Sequence, residues 1–258
     1  SSTIGGSPNI SSGNIGLNHP LDIRGNPGIP GTITFNGSSA GWGCAGGGSG
    51  YTTKTNASAV TWATVDTVAN GCFPSGGLTW LSTHNDNSLA GLASTAVSLK
   101  GNGHLTLVGK AGGANYYLTS LDCAGNSDIS FDNTNGPIYI WFGPSRGSGT
   151  INVRGGNTSI AMSSDPAKGV YIYNALNSPF TIIGNATLQA GLYCVMGSAS
   201  NNNVQFQGNG TFIGTAITDS FLIQGNPTLT FQGGYFTTSG SVTYECNGTW
   251  YDLFKVNE

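Results

Sequence analysis

Charge is scarce in this chain: 7% of its 258 residues are charged, and glutamate occurs only at Glu245 and Glu258. Eight Lys and Arg against 11 acidic residues give a net charge of -3. No basic stripe exists to displace counterions from a phosphate backbone, so nucleic acid is not an expected partner. No apolar run approaches the roughly 18 residues that span a bilayer, so no membrane span is expected in this chain. The opening "SSTIGGSPN" lacks a charged and then apolar leader, which suggests a mature chain or a trimmed targeting segment. Cys44, Cys72, Cys123, Cys194 and Cys246 show no C-x-x-C spacing, and His19, His84 and His104 stand far apart, so neither a metal nor any other cofactor is expected. There is no Gly-x-Ser-x-Gly elbow, and "GGGSG" at Gly46 lacks the Lys-Ser/Thr of a phosphate-binding loop.

Glycine is abundant, with 42 residues. Together with Asn, Ser, Thr and the strand formers Val, Ile, Phe and Tyr, it points to an all-β chain. A low-charge, Asn/Ser/Thr/Gly-rich chain with cysteines fits an exported protein; the odd cysteine count leaves at least one thiol over or points to intermolecular pairing, and Cys44 and Cys72, which bracket one Gly-rich segment, are the expected disulfide.

One phrase recurs. "VSLKGNGHLTL", "LDCAGNSDISF", "INVRGGNTSIAM", "FTIIGNATLQAG", "VQFQGNGTFIG" and "FLIQGNPTLTF" each place two alternating apolar residues before Gly-Asn and another apolar residue after it. The asparagines are Asn102, Asn126, Asn157, Asn185, Asn209 and Asn226, at spacings of 24, 31, 28, 24 and 17 residues. That period suits one coil of a β-solenoid. Val97 and Leu99, and their counterparts down to Phe221 and Ile223, fall on one strand face. Gly-Asn supplies the bend, since glycine accepts positive φ and asparagine tolerates it. Stacked coils would align these asparagines as a ladder of mutually bonded amides. The expected fold is a right-handed parallel β-helix with an irregular N-terminal insertion or cap. An antiparallel β-sandwich with Gly-Asn hairpins is the alternative.

The organisation expected is first coils or a cap over 1–37, an irregular Gly-rich insertion over 38–95, solenoid repeats over 96–240 and an aromatic cap over 241–258. "NASAVTWATVDTVANG" reads equally as a short helix or a strand. The insertion would cover one end of the stack, which an open edge requires to avoid polymerisation.

"YYLTSLDCAGNSDISFDNTNGPIYIWFG", "VQFQGNGTFIGTAIT" and "FLIQGNPTLTFQGG" resemble the C-terminal repeat region of PilX-type type IV pilus-associated proteins. The likeness rests on Gly125-Asn126, Gly184-Asn185, Gly208-Asn209, Gly225-Asn226 and the turn Gly136-Pro137, and it covers roughly residues 96 to 240. It implies a cell-surface or pilus-linked structural module, with other filament subunits or further copies of itself as partners. It carries over no catalytic residue. The long apolar N-terminal helix of pilin-like proteins has no counterpart here, so attachment through another subunit, or removal of the helix, is implied.

Two further groups bear on function. Asp122, Asp128, Asp132 and Arg154 gather near one corner, where a carbohydrate-cleaving β-helix would need its acid and base; solvated edge charges are the plainer reading. In "PIYIWFG" and "GVYIYN", Tyr139, Trp141, Tyr171 and Tyr173 alternate with aliphatic residues. With the aliphatic face inward they form a candidate contact surface for a glycan or a neighbouring subunit; burial beneath the insertion is the competing reading. The chain is therefore expected to be a non-enzymatic extracellular structural or adhesive module, with a carbohydrate-binding or carbohydrate-cleaving adhesin or tailspike-like helix as the alternative.

Overall fold

The structure is a computed structural model. It describes side chains over residues 63–73, 75–154, 163, 165, 167–197, 204–230, 232 and 235, and main chain alone at 155, 166, 231 and in the remaining strands named below.

The chain is mostly β, built on two long sheets of parallel strands. Along the first sheet the spatial order is Ala96–Leu99, Ser120–Cys123, Ile151–Gly155, Phe180–Gly184, Val204–Gly208 and Phe221–Gly225, followed by Ser2–Gly6, Leu21–Gly25 and Trp42–Cys44. The second runs Ala114–Leu118, Ile138–Phe142, Val170–Asn174, Thr187–Cys194, Thr211–Thr218, Thr228–Phe231 and Asn9–Ile10, with Thr158–Ser159 beside Thr187–Cys194. His104–Val108 pairs with Asp128–Asp132 on a third face, again in parallel. Ile15–Leu17, Thr32–Asn36 and Thr52–Ala57 form a further parallel sheet. Parallel pairing along the long sheets sets aside the antiparallel sandwich. Among the described strands, Thr243–Cys246 with Thr249–Asp252 is the antiparallel pair.

Strict register makes the core. Val97, Leu121, Ile151, Phe180, Val204 and Phe221 are partners in series, each on the next strand. Two residues along, Ile182, Phe206 and Ile223 repeat the pattern. These side chains meet Leu105, Leu107, Ile129 and Phe131 from the third face, and Ile138, Ile140, Phe142, Val170 and Ile172 from the second sheet. Each fully buried side chain of this size contributes about 1.5–3 kcal/mol. Tyr116 also points inward, and its hydroxyl donates to Val108 O at 2.8 Å and accepts from Val108 N at 2.9 Å. Its polar tip is therefore satisfied.

Residues 63–95 are not an irregular loop. The helix α1, Val65–Cys72, is capped by Thr64, whose hydroxyl accepts from Thr67 N at 3.3 Å. It buries Val65, Val68, Ala69 and Cys72, the spacing of one helical stripe. The helix α2, Gly77–Leu81, and a 3-10 turn, Asn87–Ala90, follow. This segment runs along the outside of the second sheet against the order of its strands. Val65 N bonds to Val195 O at 2.9 Å, Phe73 packs edge-on against Trp141, and Asp86 N bonds to Asn115 O at 2.7 Å.

The strands between Ser2 and Ala57 extend the stack beyond Phe221–Gly225, at the end opposite Ala96–Leu99. Residues 63–95 thus lead back to where the repeat series begins, and the stretch 38–95 divides into stack strands up to Ala57 and this return strap.

Candidate functional site

The aromatic residues named as a contact surface lie on the outer face of the second sheet, as their alternation requires, but that face is covered. Tyr139, Trp141 and Tyr173 are each 2% exposed or less and Tyr171 is 9%. This corrects the expectation of an exposed ribbon: α1, the Phe73 that ends it and α2 pack Val68, Ala69, Phe73, Leu78 and Leu81 over them. Tyr117, Trp141, Tyr173, Tyr193 and Ile217 are register partners and form a column across five strands. Trp141 and Tyr173 stack at 4.1 Å, Tyr139 and Tyr171 at 5.4 Å. Trp141 Nε1 donates to Asn115 Oδ1 at 3.1 Å and Tyr193 Oη donates to Ala63 O at 2.8 Å, so the polar ends of both rings are satisfied beneath the strap. Burial pushes the Tyr117 phenol up, and that of Tyr235, which meets Tyr171 edge-on, up to about 12.

At the Gly-Asn corner, Gly155, Gly184, Gly208 and Gly225 are register partners in series. Asn102, Asn126, Asn185, Asn209 and Asn226 are exposed; Asn157 lies outside the described residues. These side chains leave the corner on its solvent side, so a ladder of amides along it would stand in solvent and not in the core. The main chain carries the corner from strand to strand: Asn209 N donates to Gly184 O at 2.9 Å and Asn226 N to Gly208 O at 2.8 Å. Glycine is required here twice over. Gly208 and Gly225 have φ of +78° and +90°, and a Cβ on Gly225 would sit 2.7 Å from Gly208 O.

The charged group does not converge. Asp122 is on the first sheet, where it accepts from Asn152 Nδ2 at 3.3 Å and lies 3.8 Å from Arg154 Nη2. Asp128 and Asp132 are on the third face. Asp128 pairs with His104, whose Nδ1–H must be the donor at 2.8 Å because a carboxylate only accepts. His104 Nε2 then meets Thr106 Oγ1 at 2.9 Å, and Thr106 meets Ser130 at 3.0 Å, a polar chain across two strands. Asp132 turns back on Thr134, whose hydroxyl donates to it at 2.7 Å. His84 stacks on Trp80 at 4.5 Å, and His19 is outside the described residues. Among the described residues, no three or more His, Cys, Asp and Glu side chains gather as metal ligands. Nor, among them, is any helix long and apolar enough to cross a membrane.

The partly exposed outer face of the first sheet is the site candidate that remains. In register it carries Asp122, Asn152, the buried Thr181 and Gln205, and beside them the exposed Arg154 with Ile183 and Gln207. Gln207 Nε2 donates to Gln205 Oε1 at 2.8 Å. This is a flat strip of carboxylate, amide and guanidinium groups, suited to hydroxyl-rich partners.

Cys72 is disulfide-bonded, whereas Cys123 and Cys194 are buried free thiols. Burial pushes the Cys123 thiol up to about 12, and the Cys194 thiol is raised by the same cause. The partner of Cys72 is then Cys44 or Cys246, whose side chains lie outside the described residues. The strand Thr243–Cys246 lies against α1.

Two residues went unmarked in the sequence. Asp86 Oδ2 accepts from Asn115 N at 2.8 Å, and the Asn87 amide brackets Tyr117, donating to its carbonyl at 2.9 Å and accepting from its N–H at 3.0 Å. Together they imitate a neighbouring strand on the outer edge of Ala114–Leu118, the end of the second sheet. The signal was weak, since "HNDNS" reads as an ordinary turn. No protein family, curated protein or solved structure matches the chain.

Proposed function

We propose that this chain is a non-enzymatic structural or adhesive module of the cell surface, a right-handed parallel β-helix that works as a stiff rod within a pilus or comparable filament. The observation that carries this reading is the register. Six consecutive strands of the first sheet pair in parallel without a slip, from Ala96–Leu99 to Phe221–Gly225, with the same apolar column behind them. A rod of this kind draws little on ion pairs, so its shape is insensitive to salt. Its function is geometric, the presentation of flat, weakly charged faces to a neighbour, in line with the resemblance to PilX-type repeat regions.

Electron microscopy of the native material tests it. Filaments carrying this chain as a regular component are expected; isolated particles without any filament association refute it. A second reading, a carbohydrate-binding helix, draws on the strip of Asp122, Asn152, Arg154, Gln205 and Gln207. Binding to a glycan panel that is lost in Asn152→Ala and Gln205→Ala would favour it over the filament.

A further inference from the structure

We propose that Thr106 is a nucleophile that takes up the acyl group of a carboxylic ester, with His104 as its base and Asp128 holding the imidazole. The three side chains share the outer side of the third face. His104 and Thr106 stand two residues apart on His104–Val108, so both leave the same side of that strand, and Asp128 and Ser130 are their register partners on Asp128–Asp132. The alternate residues Leu105, Leu107, Ile129 and Phe131 are buried in the core, which fixes both strands beneath the site.

Counting protons gives the hydrogen bonds a direction. The Asp128 carboxylate only accepts, so His104 Nδ1 carries the proton at 2.8 Å and Nε2 of the neutral ring is left as a lone pair. The Thr106 hydroxyl, 2.9 Å from Nε2, is then the donor, and with its single proton committed it accepts from Ser130 at 3.0 Å. A base thus faces a hydroxyl, and a third group sets the tautomer of the base. Nucleophilic acyl transfer requires that arrangement. The His104 side chain is 55% exposed, so an ester can approach from solvent.

The main chain supplies a donor for the developing oxyanion. Asp128 N donates to Gly103 O and Gly109 N to Asp132 O, so residues 103, 105, 107 and 109 face the neighbouring strand. The Thr106 N–H points the other way, towards the end of the stack, where the pairing with Asp128–Asp132 does not consume it. In the step itself the Thr106 oxygen bonds to the ester carbonyl carbon while its proton passes to His104 Nε2. The ester C–O bond then breaks, and the departing alkoxide takes that proton and leaves as the alcohol. Acyl-Thr106 remains. The inference goes beyond the rod, which gains a point of covalent attachment and stands whether or not the step occurs.

The probe is p-nitrophenyl acetate. The full chain is mixed with it near neutral pH, nitrophenolate release is followed, and the acetylated residue is located by peptide mapping. A burst of one nitrophenolate per chain with the acetyl group on Thr106 is expected. His104→Gln should slow the burst by about 100-fold, Thr106→Val should abolish the adduct and Thr106→Ser should restore it. Asp128→Ala releases the ring, and nitrogen NMR of the imidazole should show the Nδ1–H tautomer giving way to a mixture; an unchanged tautomer overturns the positioning role of Asp128. Release without acetyl-Thr106, or an adduct that forms as fast in His104→Gln as in the parent, overturns the proposal. Release that continues past one equivalent and is lost in Thr106→Val keeps the nucleophile and overturns instead the non-enzymatic part of the filament reading.

Discussion

Replacing Trp141 with alanine separates a buried aromatic face from an exposed one. Trp141 is 1% exposed, stacks on Tyr173, meets Phe73 edge-on and donates to Asn115. Truncating a buried Trp to Ala costs about 3–5 kcal/mol, the two ring contacts making up about 0.5–1.5 kcal/mol each of that total. Most of the loss falls on the joint between strap and sheet, because Phe73 loses its ring partner and Asn115 Oδ1 loses its donor. Hydrogen exchange reads this locally. The amides of Val65 and Phe73, bonded to Val195 O and Ala69 O, should exchange about 150-fold to several thousand-fold faster in Trp141→Ala, up to the limit set by strap opening. Amides of Val153 and Ile182 on the first sheet should change far less. An exposed ring would cost about 0.5 kcal/mol or less. Acceleration below about threefold at Val65 and Phe73 would therefore refute the covered face.

Four more expectations follow from the same geometry. Gly208→Ala should destabilise by at least about 1–2 kcal/mol through its positive φ alone, while Asn209→Ala, at an exposed side chain, stays within about 0.5 kcal/mol; equal melting shifts for the two would refute the view that the glycine carries the corner. Asn87→Ala leaves the Tyr117 N–H and C=O facing outward, and light scattering should detect concentration-dependent association beyond that of the parent. The thiol of Cys123, like that of Cys194, keeps its proton in the folded chain well above the ordinary value of 9.0, so above pH 9 the unfolded chain binds fewer protons. Stability should then fall as pH rises from about 9 towards 12, by up to about 1.4 kcal/mol per pH unit for each fully buried thiol, and Cys194→Ala should flatten the chemical-denaturation profile. Peptide mapping under non-reducing conditions should find Cys72 joined to Cys246, whose strand lies against α1, and a Cys44–Cys72 peptide would refute that pairing.

The repeat was legible in the sequence because its determinants are local. Val97 with Leu99 and Phe221 with Ile223 announce one buried face, and a Gly-Asn pair announces the bend without knowledge of any partner. The side of the corner on which the asparagine amides lie was not legible for a physical reason: the same residue tolerates the corner whether its amide faces in or out. Tyr139 and Trp141 were assigned to the outer face correctly, yet their cover comes from residues more than 50 positions earlier. Nothing local marks "ATVDTVANGC" as the lid of that face, although its i, i+3, i+4 and i+7 stripe of Val65, Val68, Ala69 and Cys72 is a helical one. The position of the Ser2–Ala57 strands is the least legible feature. Order along the chain suggests that they precede Ala96, and the reversal depends on a pairing between distant segments.

Stacked-strand rods ordinarily fray, each layer held only by the layers beside it. Here one segment touches Tyr193, Trp141 and Tyr117 in turn, so the layers between them cannot part without lifting it. The middle of the stacked strands is thereby coupled into a single cooperative block, and a pull across the strands is shared between the sheets and a splint laid over them.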